Sequence, residues 1–460
     1  MKKFFGFALL FALCLMGMGC ASNSSSQGSN PQTANVFVTG EDAPLPSVVG
    51  FDVTLNSVVL NGKGDTTATV ISTPTTVDFA RLVGLRSPLS FNSVPANTYS
   101  SATIVLASPV IDYITLNPSP AVTTLNGTFP NNQSPYTVTV NFPTPMVVGA
   151  NGLAGLRMDF DIRQSLAVDG NGQITGAVNP VIFIKATRAS DPDGQVTDLT
   201  GGLVSVSAAN SSFVLQGPYG RQLTVYVNSN TNFNSGWSIN NLATPAIVGV
   251  QGAFQADGSL MASSVEVITT SRSFVSGRVL ALTTNASNQV QQITMWVGET
   301  GADMVSDVDS IQTVDVSLLD NSNFDICFFN GAVTESWFSD TSVVVGQRVF
   351  IGGSYSNSVF TPEMISLRLQ GVYGMFVPAS VTVDSGNLGS FQMSNNGLVG
   401  YSVGGPVTVN TFNLTYFNNL TGLGQLQTQT TSIPLVTRGL LLAPNGTPEV
   451  YAGFVSEPGN

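Results

Sequence analysis

The sequence contains no histidine, and this absence excludes several common kinds of active site. Without an imidazole there is no Ser-His-Asp or Cys-His catalytic arrangement and no His-ligated zinc. The sequence also has no match to the glycine-rich loops that bind nucleotide phosphates. We therefore expect a protein that is not an enzyme, and the sequence alone identifies no biochemical activity for it.

Charged residues are also scarce, at 9% of the chain against about 25% in typical globular proteins. The 27 acidic residues outnumber the 15 basic ones, which gives a net charge of -12 at pH 7. Binding of nucleic acid depends on Lys and Arg side chains that neutralise phosphates. The composition therefore predicts no nucleic-acid partner and a surface whose solubility rests on hydroxyl and amide groups.

Cysteine is rare too, with only Cys14, Cys20 and Cys327 in the chain. Cys14 and Cys20 both fall near the N-terminus, so the rest of the chain cannot form an internal disulfide. Cys327 lies in a largely apolar stretch, residues 323–329, and we expect it to be a small buried side chain.

One apolar run stands out because the others are short. Lys2 and Lys3 precede an apolar stretch at residues 4–18, and Gly19 and Cys20 follow, which is the layout of a bacterial secretory signal. The end of this stretch resembles the lipobox of bacterial lipoproteins, with Gly17 where leucine is usual. That resemblance implies lipid on Cys20 and a membrane partner held through it. The alternative is a soluble secreted protein cut near Ala21.

The segment after Cys20 is rich in Ser, Asn and Gln, and we expect residues 20–34 to form a flexible tether. In lipoproteins of this kind an Asp at the position of Ser22 favours retention in the inner membrane. Ser22 therefore favours export to the outer membrane or the cell surface.

Short alternating runs predict β-strands almost throughout the remaining chain. Examples are residues 51–55, 103–106, 136–140 and 223–227, and only residues 77–82 suggest a short helix. Pairs with the chemistry of hairpin turns separate the runs. They include Asn61-Gly62, Asn126-Gly127, Asp193-Gly194 and Asp257-Gly258. The pattern predicts an all-β protein.

Residues 42–45, 77–82 and 94–106 resemble motifs of a family of bacterial lipoprotein domains described as domain of unknown function 4382. Asn97 stands where that family usually has glycine, and asparagine also tolerates left-handed turn conformations. The resemblance implies an immunoglobulin- or transthyretin-like β-sandwich, and it implies no known activity.

The chain then repeats with a period of about 90 residues, the spacing between segments 223–233, 314–324 and 407–417. Each segment places a strand before an Asn-rich turn and an aromatic residue. The repeats resemble small β-barrels described as domain of unknown function 5666, and we expect separate barrels arranged as beads on a string. The predicted organisation is a signal peptide at 1–19, a tether at 20–34, a β-sandwich at 35–189, and β-barrel repeats at 197–272, 273–370 and 371–457.

Calcium is the one cofactor with some support in the sequence, and otherwise we expect none. Strand alternation places Asp159 and Asp161 together on the face opposite Met158 and Phe160, where they form a solvated surface or hold a cation. Asp169 and Asn171 offer oxygen ligands on a turn, although hairpin turns stabilised by Asx hydrogen bonds use the same residues.

Aromatic platforms are the other candidate ligand contacts. Trp237 follows an Asn-rich loop and Trp337 lies in a Ser/Thr/Asp-rich stretch, where exposed rings stack on sugars and half-buried ones cap a barrel core. Two functions are compatible with the sequence. The first is a non-catalytic envelope lipoprotein that acts as a scaffold or adhesion module toward a protein or glycan partner. The alternative is a carbohydrate-binding or carbohydrate-active secreted protein that uses these tryptophans and surface carboxylates.

Overall fold

The computed structural model describes residues 32–43, 45, 47–82, 85–115, 121–170, 173–217, 221–234, 236–327, 337–394, 406–444 and 446–457. The predicted signal peptide, Cys20 and most of the tether lie outside these residues, as does Asn171. Strands dominate the described residues, with two short α-helices, so the all-β prediction is confirmed. None of the helices within those ranges is long and apolar enough to cross a membrane.

Twelve strands and one helix form the N-terminal unit. They are β1 (Thr33–Ala43), β2 (Val48–Gly62), β3 (Thr67–Ile71), β4 (Thr75–Asp78), β5 (Ser87–Pro95), β6 (Asn97–Thr115), β7 (Ala121–Asn126), β8 (Tyr136–Val148), β9 (Leu153–Asp161), α1 (Ile162–Ser165), β10 (Leu166–Val168), β11 (Ile174–Val178) and β12 (Ile182–Thr187). A short helix was predicted at residues 77–82. In the structure β4 ends at Asp78, and one 3₁₀ turn follows at Ala80–Leu82.

Two larger sheets of this unit share one hydrophobic core. One has the order β12-β9-β1-β5, and the other has the order β3-β2-β6-β7 with β4 beside β2 and β8 beside β6. Alternating residues of both sheets, among them Val36, Phe51, Ile104 and Phe160, are buried in the same cluster. The immunoglobulin- or transthyretin-like arrangement of these strands stays a prediction.

Three repeat units follow, and their strands are listed here in chain order. The first has β13 (Val196–Ser207), β14 (Ser212–Gln216), β15 (Gln222–Tyr226), β16 (Asn232–Phe233), β17 (Ile247–Phe254) and β18 (Leu260–Thr269). The second has β19 (Ser273–Thr284), β20 (Val290–Thr300), β21 (Ser310–Asp315), β22 (Phe324–Ile326), β23 (Arg348–Ser356) and β24 (Val359–Leu367). The third has β25 (Gln370–Phe376), β26 (Thr382–Ser385), β27 (Leu388–Ser394), β28 (Val407–Asn418), α2 (Leu423–Thr428), β29 (Pro434–Leu442) and β30 (Glu449–Ser456).

The first and third repeat units each contain a closed ring of five strands. In the first, the order β15-β14-β13-β17-β18 closes through parallel pairing of β15 with β18. In the third, the order β25-β29-β30-β28-β27 closes through pairing of β27 with β25. The second unit has the same strand order as the first, β21-β20-β19-β23-β24-β22. The repeat seen in the sequence is therefore a repeat of topology.

The units do not form beads on a string, because each contributes side chains to shared apolar contacts. Phe37 of β1 stacks on Phe254 of the first repeat unit with ring centroids 5.0 Å apart. Phe274 of the second unit packs with Ile247 of the first. Leu440 of the third unit belongs to the core of the second. The N-terminal unit also meets the third, since the Arg163 guanidinium lies 5.0 Å from the centre of the Tyr373 ring.

Trp296 shows why the sequence pattern missed this packing. Its neighbours Met295 and Val297 point into the core of the second repeat unit, so alternation places the indole on the outer face of β20. There it packs against Val49 and Ile114 of the N-terminal unit and is 2% exposed. Alternation tells which face a side chain occupies, but it does not tell what covers that face.

Candidate functional site

The predicted aspartate pair on β9 is not on a solvated surface. Met158 and Phe160 are buried in the core as predicted, but Asp161 is only 3% exposed. Its carboxylate accepts hydrogen bonds from the backbone N and the side-chain Nε2 of Gln164, at 2.8 and 2.5 Å. Asp161 therefore caps the start of α1, and its oxygens are engaged within the protein.

Asp159 is half-buried and is the cross-strand partner of Glu41 on β1. The segment that follows β12 covers its neighbour on the same face of β9, Arg157. Asp193 of this segment forms ion pairs with Arg157 and Lys185, with N to O distances of 3.6 and 2.8 Å. Burial, followed by the nearby Glu41 carboxylate, raises the pKa of Asp159 to about 7. The prediction of a solvated face was wrong for Asp161, which is buried, whereas Asp159 is half-buried.

The predicted calcium turn is described only in part. Oδ1 of Asp169 accepts a hydrogen bond from the backbone N of Gln173 at 2.8 Å, which is an Asx-type turn. Asn171 lies outside the described residues. Within the described ranges, no three Asp, Glu or Cys side chains are grouped so as to hold a metal ion. Calcium binding therefore stays a prediction.

Both predicted tryptophan platforms are half-buried and packed against cores. Trp237 contacts the core of the first repeat unit. Trp337 packs edge-on against Tyr451 of the third unit, with ring centroids 5.3 Å apart.

Cys327 is buried as predicted, and burial raises the pKa of its thiol to about 12. These three side chains serve packing in the structure.

The charged residues, rather than the aromatic ones, converge at the junctions between units. Arg368 of the second repeat unit pairs with Glu266 of the first at 2.6 Å, and the two side chains are 7% and 1% exposed. Arg348 contacts Asp198 of the first unit at 3.0 Å and Glu299 at 3.7 Å. Glu299 also pairs with Arg81 of the N-terminal unit. We call these six residues the ion-pair chain.

The ion-pair chain favours the charged form of Asp198. Although burial acts to raise the pKa of Asp198, the guanidinium groups of Arg348 and Arg368 hold it below its ordinary value. Buried charges of this kind persist only when partners compensate their lost hydration. The contacts therefore fix the first repeat unit, the second repeat unit and the N-terminal unit relative to one another.

A second group consists of carboxylates from two units that raise one another's pKa. Asp52 and Asp78 are cross-strand partners on β2 and β4, Asp112 follows on the same face of the sheet, and Asp309 approaches from the second repeat unit. We call these four residues the carboxylate cluster. Burial, and then Asp78 and Asp309, raises the pKa of Asp52 to about 7. The pKa of Asp309 is raised to about 6 by desolvation and by Asp78.

An open cleft of about 740 Å³ lies where the N-terminal unit meets the first two repeat units, and we call it the three-unit cleft. Small-molecule sites have volumes of about 300–1,000 Å³. A Cβ on Gly201 would lie 2.1 Å from the carbonyl oxygen of Gln216, so glycine is required and the backbone itself forms part of the wall. The lining consists of Arg81, residues 200–204, 216–217 and 245–247 of the first repeat unit, and residues 272, 274 and 299–303 of the second.

These features define an all-β protein of four packed units with a cleft where three of them meet. Residues 33–175 match the family model described as Domain of unknown function (DUF4382), and residues 193–266 match Domain of unknown function (DUF5666). The two matches follow each other in the order predicted from the sequence. No curated protein and no solved structure matches the chain.

Sequence reasoning missed the charged residues at the junctions, although one signal was available. Glu266 lies between Val265 and Val267 in a mostly apolar strand, where an acid needs a partner if both faces are covered. In a chain with so few charges, an ionisable residue inside such a strand marks a contact between units.

Proposed function

We propose that this protein is an exported cell-envelope lipoprotein that serves as a non-catalytic binding scaffold for a protein or glycan partner. The observation that carries the proposal is the packing of four β units, three of which surround an open cleft. In this proposal the N-terminal unit is an immunoglobulin- or transthyretin-like sandwich, and lipid on Cys20 holds the protein at the outer membrane or the cell surface.

The arrangement of charges supports a role in binding rather than catalysis. The chain has no histidine, and the acids with the highest pKa values that we cite, Asp52 and Asp159, lie in packed strands of the N-terminal unit. Arg81 and Glu299, which do line the three-unit cleft, are paired with each other. A paired guanidinium and carboxylate in a glycine-rich wall orient a ligand without supplying an acid or a base.

Replacement of Cys20 tests the anchor. We expect the wild-type protein from a Gram-negative host to fractionate with membranes and to show the mass gain of a diacylglyceryl group. The Cys20→Ser variant should lose both properties, because the thiol is the atom that is acylated. Soluble, unmodified wild-type protein whose fractionation is the same as that of the variant would overturn the anchor.

The radius of gyration of the protein in solution tests whether the four units pack on one another. A compact mature chain of about 440 residues should have a radius of gyration of about 22 Å in solution X-ray scattering. We expect this compact value because the contacts of Phe37, Trp296 and Leu440 join neighbouring units. A radius well above this value would contradict the packing of the units.

A further inference from the structure

The face of the N-terminal unit that meets the second repeat unit is partly acidic. Phe51 and Ile111 point into the core of the N-terminal unit, so alternation places Asp52 and Asp112 on the opposite face of the sheet. Asp78 is the cross-strand partner of Asp52 and lies on the same face. The strands that form this part of the sheet, β2, β4, β6 and β7, contain no Lys or Arg.

Apolar contacts beside these acids hold the two units together. Val49 and Ile114 of the N-terminal unit pack against Leu280 and Trp296 of the second repeat unit, and all four side chains are at most 8% exposed. Ile311 of β21 packs against the same cluster. We call the contact formed by these five residues and the carboxylate cluster the N-terminal junction.

Asp309 brings a carboxylate to this junction from the second repeat unit. It lies immediately before β21 and two residues before Ile311, and Asp307 adds another acid to the same segment. The side chain of Asp309 is exposed at the rim of the junction, where it exchanges protons with solvent. Docking of the second repeat unit therefore brings a charge of the same sign toward Asp52 and Asp78.

Arg81 is the basic residue that acts on the carboxylate cluster from within the N-terminal unit. Burial raises the pKa values of Asp52 and Asp309, and the Arg81 guanidinium acts against that rise. The same guanidinium also pairs with Glu299. One positive charge is thus shared between Glu299 and the four carboxylates, which keep a net negative charge at the junction when they are ionised.

Two arginines of the second repeat unit lie near the junction, and both are engaged with other groups. Arg278 and Arg348 line the same small pocket as Asp78. Arg278 donates a hydrogen bond to the carbonyl oxygen of Gly346 at 3.0 Å, and Arg348 pairs with Asp198 of the first repeat unit at 3.0 Å. Their charge is therefore directed toward partners outside the carboxylate cluster.

Ionisation of the carboxylate cluster opposes docking of the two units. Burial is the largest cause of the raised pKa of Asp52 and of Asp309, and each also interacts with carboxylates across the junction. Docking supplies part of that burial and brings those charges together. The docked state therefore binds protons more tightly than the separated state, and protonation favours docking. This contribution is complete at low pH and is lost as the pH rises through about 6 and 7.

We propose that the carboxylate cluster is a pH-sensitive latch, which holds the second repeat unit on the N-terminal unit in mildly acidic solution and loosens it in alkaline solution. The apolar contacts of the junction do not titrate, so the latch shifts an equilibrium between docked and separated units without unfolding either one. Arg81 and Glu299 also line the three-unit cleft, so release of the latch widens that cleft. The latch does not depend on lipid at Cys20.

The reaction rate of a buried thiol measures how often the junction opens. Val49→Cys places a thiol in the apolar part of the junction, in a mature chain that also carries Cys20→Ser. Thr137→Cys, at an exposed position, gives the rate of an unprotected thiol at each pH. The thiol of Cys327, in the core of the second repeat unit, reports unfolding of that unit in the same sample. The reagent is dithiodipyridine, with EDTA present to remove divalent cations, and mass spectrometry identifies the modified thiols.

We expect the rate for the junction thiol, divided by the rate for the exposed thiol, to rise at least tenfold between pH 5 and pH 8. Tenfold is the factor that corresponds to a change of one unit in one pKa on docking. Asp52→Asn combined with Asp309→Asn should abolish the rise, because asparagine does not ionise. Asp65→Asn removes an exposed carboxylate of the N-terminal unit outside the cluster and should leave the rise unchanged. Cys327 should stay protected throughout.

Ile311→Cys repeats the measurement from the second repeat unit, and it replaces Val49→Cys if that variant has a lower thermal unfolding temperature than the parent chain. A rate ratio that is the same at pH 5 and pH 8 would overturn the latch. A rise that persists in the double asparagine variant, or that Asp65→Asn abolishes equally, would overturn it as well. Equal acceleration at Cys327 would show that the second repeat unit unfolds instead of separating, and this result would also contradict the proposal.

Discussion

Arg368→Met should lower the free energy of unfolding by about 3–5 kcal/mol, the usual cost of removing one partner of a buried ion pair. Glu266, 1% exposed, would then keep a buried charge with the Ser366 hydroxyl, at 3.2 Å, as its remaining close contact. Chemical denaturation at pH 7 measures the change. The midpoint should fall, and the first and second repeat units should separate before either one unfolds.

A double variant separates the ion pair from the packing of the arginine. Glu266→Leu combined with Arg368→Met removes both charges, and we expect it to recover most of the lost stability, because apolar residues of similar volume often replace buried pairs without loss. Arg188→Met, at an exposed position, should change little. If the double variant were as unstable as Arg368→Met, the uncompensated charge of Glu266 would not be the cause.

Asp52→Asn should stabilise the protein at pH 8 and should have little effect at pH 4. The pKa of Asp52 is raised to about 7 in the folded protein, whereas it is about 3.9 in an unfolded chain. The folded state therefore binds the proton more tightly, and the stability that this proton contributes is lost as the pH rises from about 4 through about 7. Asparagine keeps the neutral form at every pH. We expect a gain of about 1–3 kcal/mol at pH 8, less than the full shift implies because Asp78 titrates with Asp52.

Thermal or urea unfolding of both proteins between pH 4 and pH 8 measures this effect. The wild-type protein should be more stable near pH 5 than near pH 8, and the variant should show a flatter profile. Asp384→Asn removes an exposed carboxylate far from the carboxylate cluster in sequence and should leave the profile unchanged. Parallel profiles for Asp52→Asn and wild type would contradict the raised pKa.

The sequence was a good guide to the strands and a poor guide to the surfaces between units. The strand predicted at residues 223–227 overlaps β15, and the segment at residues 407–417 falls within β28, because alternation and turn chemistry are local properties. Glu266 and Arg368, in contrast, are 102 residues apart in the chain, and no local pattern relates them. The same limit applies to Arg157, whose ion-pair partner Asp193 comes from a later segment of the chain.

The three-unit cleft was harder to predict from the sequence than the strands, because its lining comes from more than one unit. Arg81 lies in a segment that the family resemblance covers, but its partner Glu299 belongs to a repeat two units away. The structure places Gly201 of the first repeat unit and Gly301 of the second in the wall of the same cleft. Such a cavity exists only once three units have packed, so composition and spacing carry no signal for it.

Closure of the five-stranded rings has a consequence for how these molecules behave when crowded. Among the described residues, each ring strand is hydrogen-bonded to a neighbour on both sides over at least part of its length, which leaves little free edge onto which a strand of another molecule could add. The strands outside the two rings, β16 and β26, have two and four residues and are too short to template a neighbour. The first and third repeat units are therefore protected against sheet-to-sheet aggregation at high local concentration.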